Sequence, residues 1–157
     1  MNMQLLVTQP EIFQLATQRA AAFAEANYPN CDVEFVDLLP KLNALPGVAT
    51  LWCCASHVET NEDDSQFYLT LAVTVEGIEH AVRIYTELCK IAQPKLDDET
   101  GCSLRLEYGC LHGSLFNMPN VRYNVTSIHC IVSNAENKRV LLDSLAEALT
   151  NQSDLIE

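Results

Sequence analysis

Twice along this chain the spacing of apolar residues switches from every second position to every third or fourth. Phe67, Leu69, Leu71 and Val73 alternate with Gln66, Tyr68, Thr70 and Thr74, and Ile78, Ala81, Val82, Tyr85, Leu88, Cys89 and Ala92 then form a stripe at helical spacing. Side chains on a strand change face at every residue, whereas those on a helix return to one face after 3.6 residues, so the switch marks a strand running into a helix. The same switch recurs later. Leu104, Leu106, Tyr108, Cys110 and His112 alternate with Ser103, Arg105, Glu107 and Gly109; Val121 to Val132 reads as a further strand, and Val140, Leu141, Leu145, Ala148 and Leu149 supply a helical stripe. With Val48 to Ala55 as the first strand, the chain reads as two ββα units, Val48 to Ala92 and Cys102 to Leu149, a topological duplication. Clean alternation marks Phe67 to Val73 and Leu104 to Tyr108 as the expected central strands.

Two helices precede these units. Thr8-Gln9-Pro10-Glu11 has the form of a capping box, with Pro10 in a first turn where its missing N–H costs nothing. Ile12, Leu15, Ala16, Arg19, Ala22 and Phe23 continue it at helical spacing, and Asn27 to Asn30 stops it. Phe35, Leu38, Leu39, Leu42 and Leu45 make a second stripe. Pro40 allows it only if the helix starts near Asp37 or kinks, and Pro46-Gly47 ends it. Ser133-Asn134-Ala135-Glu136 reads as a capping box before the last helix. The expectation is an α+β fold of order α-α-β-β-α-β-β-α, a four-stranded, mainly antiparallel sheet with four helices. Residues 1–157 form one domain: a helical part (1–46), the sheet with two helices (47–150) and a polar tail (151–157).

Composition narrows the function. The 157 residues are 48% apolar and 19% charged, enough for a core that needs neither disulfides nor metal. Nine basic against 21 acidic residues give a net charge of −12, which argues against direct binding of duplex nucleic acid or anionic membrane, since both require a basic footprint. The seven cysteines are odd in number and match no disulfide framework, and Met1 to Thr8 lacks the features of a secretory signal. Free thiols in a reducing cytoplasm are expected.

The reactive residues concentrate in Pro46 to Thr60. This stretch holds the sole tryptophan, Trp52, then Cys53, Cys54 and His57, and leads into the acidic segment Glu59, Glu62, Asp63 and Asp64. The first strand of each unit ends in a Cys–His pair: Cys54 with His57, Cys110 with His112. Were the hairpins to lie side by side, His57 and His112 would fall at corresponding ends, with His129 on the strand beside His112. A thiol beside an imidazole serves as a nucleophile pair or as zinc ligands. Cys-x2-His and Cys-x-His are not zinc knuckles, however, and on one strand Cys54 and His57 point to opposite faces unless it ends near Ala55. No metal or cofactor is therefore expected. His80, beside the stripe of its helix, reads as a surface or boundary residue.

No phosphate loop, dinucleotide fingerprint, nucleophile elbow or calcium loop is present. The segment from Pro46-Gly47-Val48-Ala49-Thr50 to Cys54-Ala55-Ser56-His57 resembles small uncharacterised phage and bacterial proteins in which a helix ends in Pro-Gly-Val and a strand closes on a Cys-x-Gly-His turn. More distantly it is similar to the strand end of the wybutosine-synthesis tRNA methyltransferase family, whose turn reads Ser-Cys-Ser-Gly-Arg. Cys54 matches that turn, while Ser56 stands for its glycine and His57 for its arginine. The resemblance covers about fifteen residues and implies only Cys54 and His57 as candidates, not the family's activity.

Without a strong catalytic motif, the expected function is a non-catalytic binding or inhibitor protein, a phage-type accessory factor. It would act on a protein partner with a basic surface, or on a small ligand, through Trp52, His57, Glu59, Glu62, Asp63 and Asp64. The oligomeric state is open, a homo-oligomer included. The alternative is an RNA- or nucleotide-modifying enzyme built on Cys54, His57, Cys110, His112 and His129, metal-assisted or not.

Overall fold

The computed structural model describes residues 6–22, 31–60, 65–96, 103–132 and 134–156. Four strands, β1 (Val48–Ala55), β2 (Gln66–Val73), β3 (Arg105–Gly113) and β4 (Met118–Ile131), form one antiparallel sheet in the order β1-β2-β4-β3. Four helices complete the α+β fold: α1 (Pro10–Ala22), α2 (Leu39–Asn43), α3 (Val75–Ala92) and α4 (Ala135–Ile156). The element order is the one read from the sequence.

The sheet separates two apolar clusters. The larger gathers Leu39 and Leu42 of α2, Ile84 and Leu88 of α3, and Leu141 and Leu145 of α4 over Phe67, Leu69, Leu71, Ile128 and Cys130. The smaller packs Ile12 and Ala16 of α1 over Ala49, Leu51, Ala72, Tyr123 and Val125. Strand β1 serves both, Val48 on the larger side and Ala49 on the smaller, and its register shifts between Thr50 and Trp52. Ala49 and Leu51 belong to the α1 side, whereas Cys53 and Ala55 belong to the other. An extra residue in one strand reverses the alternation beyond it, so the odd-numbered positions face the smaller cluster before the shift and the larger one after it.

Strand β2 is central, as expected, but β3 is an edge strand. Leu104 and Leu106 reach the core, while Tyr108, Cys110 and His112 are exposed. Alternation marks a strand, yet it cannot tell whether a helix covers the face it creates. Strand β4 begins at Met118, before the expected Val121. A turn at Ser114–Phe116 and a left-handed Asn117 return the chain to Met118, opposite Gly113.

Three local readings change. Thr8 does not cap α1: its hydroxyl accepts from the Val73 N–H at 2.9 Å and donates to the Asn124 carbonyl at 2.7 Å, clasping β2 to β4. The cap of α4 lies one residue later than expected, where Asn134 Oδ1 accepts from Asn137 N–H at 2.8 Å; Ser133 is outside the described residues. His80 is buried, only 7% exposed, on α3. Pro40 lies in the first turn of α2, so the helix starts late and does not kink.

Candidate functional site

The end of β1 carries the candidate site. Cys31 bridges to Cys53 in parallel fashion along the outer edge of β1. Asp32 N–H donates to the Cys53 carbonyl at 3.2 Å, and Asp32 Oδ2 accepts from Ala55 N–H at 2.8 Å. Both the backbone and the carboxylate of Asp32 are thus fixed to the edge strand, satisfying donors and acceptors that an edge otherwise leaves open.

The strand ends at Ala55 because Ser56 takes the left-handed conformation, φ 72°. A buried non-glycine residue rarely adopts that backbone, and such residues cluster where a turn must aim a side chain. Here the turn returns His57 to the strand, so that His57 Nε2 lies 3.0 Å from Asp32 Oδ2. Asp32, Cys54 and His57 each place one potential ligand atom within 4.8 Å of the other two. Cys54 is buried, whereas the side chains of Asp32 and His57 are 23% and 42% exposed, so the cluster opens to solvent on the imidazole side.

The adjacent thiol has a different character. A hydrogen bond with the Cys31 thiol, together with burial, pushes the Cys53 thiol far up, so it remains protonated. No disulfide joins the six cysteines among the described residues.

Beside this cluster lies a charged rim. Lys138 of α4 is buried, and its ammonium donates to Glu34 Oε1 at 3.0 Å and to Glu59 Oε2 at 3.2 Å. Burial opposes its charge, but the two carboxylates more than offset that and hold its pKa above the usual value. An open groove of about 420 Å³ runs along Glu34, Glu59, Lys138, Arg139 and Leu142. Val33 and Val36 flank Glu34 and stand 79% and 47% exposed.

The three histidines do not converge. Because β4 rather than β3 lies next to β2, β3 runs antiparallel to β1, and His112 emerges opposite Arg122 at the far end of the sheet from His57. His129 pairs with Arg105 and Tyr68 across the sheet. Its Nδ1 accepts from the Arg105 guanidinium at 2.8 Å and its Nε2 bonds to Gln66 Oε1, so it ties β2, β4 and β3 together. Cys110 is exposed on β3, also apart from Cys54. Trp52 is half-buried against the α1-side core. Of the acidic segment, Glu59 is engaged by Lys138, and Glu62, Asp63 and Asp64 lie outside the described residues.

Sequence reasoning found Cys54 and His57 but missed Asp32. Its only signal was its place beside Cys31, and nothing in spacing indicates that residues 31–32 return to β1. Among the described residues no helix is long and apolar enough to cross a membrane. No protein-family model, curated protein or solved structure matches the chain.

Proposed function

We propose that the protein is a non-catalytic cytoplasmic binding or inhibitor protein, an accessory factor of the phage type, that docks a protein partner with a basic surface on the face around Glu34 and Glu59. The observation that carries this reading is the pair of exposed valines, Val33 and Val36, on either side of Glu34 in the chain, with Glu34 itself lining the Lys138 groove. Isolated exposed apolar residues are ordinary, but an apolar pair within a charged rim has the layout of an interface centre. Lys138 neutralises only part of the rim, and the chain's net charge of −12 favours encounter with a positive partner.

The test immobilises the chain and compares capture from a lysate of the producing cells by wild type, by Val33→Glu/Val36→Glu, and by Glu59→Gln/Glu62→Gln/Asp63→Asn/Asp64→Asn. A specific partner is retained by wild type, lost from the valine variant, and weakened both by the acidic changes and by salt. Equal capture by all three chains at every salt concentration refutes the reading.

A second reading, an enzyme using Cys54 as nucleophile, is favoured by one observation: Asp32 holds His57 close to that thiol. A carboxylate-oriented imidazole beside a thiol is the arrangement that generates a thiolate. Selective alkylation of Cys54 at neutral pH, abolished in His57→Gln, is its expected sign.

A further inference from the structure

The geometry points to a divalent transition-metal site, with zinc the metal that fits best, held by Asp32, Cys54 and His57. The donor set is one carboxylate oxygen, one thiolate sulfur and one imidazole nitrogen. Calcium and magnesium prefer oxygen-only shells, whereas mixed N, O and S donors suit zinc. Zinc binds such atoms at about 2.0–2.3 Å in tetrahedral arrangement, so ligand atoms stand about 3.3–3.8 Å apart. The 3.0 Å between Asp32 Oδ2 and His57 Nε2 lies close to that spacing, and all three donors fall within 4.8 Å of one another. The half-exposed imidazole has room to adjust as the ion is seated.

Two features distinguish the cluster from a chance meeting of polar side chains. Asp32 is oriented by a bond from a non-ligand group, the Ala55 N–H at 2.8 Å, as the outer-shell partners of metal ligands usually are. His57 is delivered by a strained turn, Ser56 at φ 72°, without which strand geometry would aim it away from Cys54. Charge is also in order: a carboxylate and a thiolate neutralise the ion, and the imidazole binds as the neutral base. In binding, the thiol proton leaves to solvent, and the imidazole carries its one N–H on the nitrogen that does not hold the ion. The three ligands come from the outer edge of β1 and its terminal turn. A fourth position lies on the exposed imidazole side, open to water or to another exchangeable ligand. The site stands independently of the partner-docking reading, which concerns the valines and the rim.

Cobalt(II) titration of the reduced full chain, followed by zinc competition, tests the site. Cobalt reports its ligands directly, because a thiolate ligand gives a near-ultraviolet charge-transfer band and a tetrahedral site gives strong visible d–d bands. The expected result is saturation at about one ion per chain, with both sets of bands, displaced by zinc. Cys54→Ser abolishes the charge-transfer band, Asp32→Asn and His57→Gln each weaken affinity at least about tenfold, and Cys110→Ser changes nothing. Circular dichroism of each variant separates loss of ligand from loss of fold, and His57→Gln, at a half-exposed position, serves as the variant least prone to unfold. Absence of a saturable charge-transfer band in the wild type, or its persistence in Cys54→Ser, overturns the proposal. So does unchanged affinity in folded His57→Gln.

Discussion

Asp32 and His57, separated by 25 positions in the chain, meet at 3.0 Å, and the same Asp32 oxygen holds the Ala55 N–H. One carboxylate thus closes the edge of β1 and fixes the turn that ends it. The Asp32→Ala change leaves the Ala55 donor without that partner and releases the imidazole. A loss of about 1–3 kcal/mol in urea unfolding is expected, the usual result of orphaning a half-buried donor. Unchanged stability would mean that water or a neighbouring group replaces the carboxylate.

Gly47 and Gly77 define the other end of β1. Gly47 takes φ 74°, its carbonyl accepts from Thr74 N–H at 2.9 Å, and a Cβ on Gly77 would lie 1.8 Å from that carbonyl oxygen. The turn after α2 therefore presses directly on the first turn of α3, whose cap is Thr74. Gly77→Ala must push the two segments apart, at a cost of about 1–3 kcal/mol. A melting temperature equal to that of the wild type would disprove the close approach.

The fold was legible in the sequence wherever periodicity alone decides. The switch from period two to helical spacing located β2 with α3 and β4 with α4. The lateral order of strands was not legible, because a ββα pair closes a sheet equally well with either strand of the second hairpin beside β2. That order decides whether His57 and His112 share an end, and it separates them. The site was half legible. Cys54 and His57 stand close in sequence, but their meeting depends on the positive φ of Ser56 and on Asp32, a contact between distant segments that leaves no periodic trace.

Tyr123 is fully buried on the α1 side of the sheet, edge-on to Phe116, and its hydroxyl has no hydrogen-bond partner among the described residues. Tyr123→Phe removes an unsatisfied polar group while preserving shape, so stability should stay level or rise by about 1 kcal/mol. Burial, opposed in part by Arg19, pushes the phenol up to about 12. A pKa raised above its unfolded value of about 10 contributes stability that is complete below about pH 10 and lost as the pH rises towards about 12. Wild type should therefore lose stability across that window more steeply than Tyr123→Phe. Parallel pH profiles would refute the assignment.

Lys138 provides a separate electrostatic test. Its ammonium is buried between Glu34 and Glu59, whose side chains are 34% and 53% exposed. Lys138→Ala leaves two carboxylates facing each other and a void at the base of α4, and a destabilisation of about 1–3 kcal/mol is expected. Lys138→Met keeps the stem packed, so it should cost less, and the difference between the two reports packing rather than charge. Because the pKa of Lys138 is raised, its pairing is fully present below the unfolded value of about 10.4 and fades only as pH climbs through the higher folded value. Moderate salt should weaken the wild type more than Lys138→Met, since the glutamates remain open to screening ions. If both chains respond equally to salt, the ion pairs add little and α4 is held by its apolar face alone.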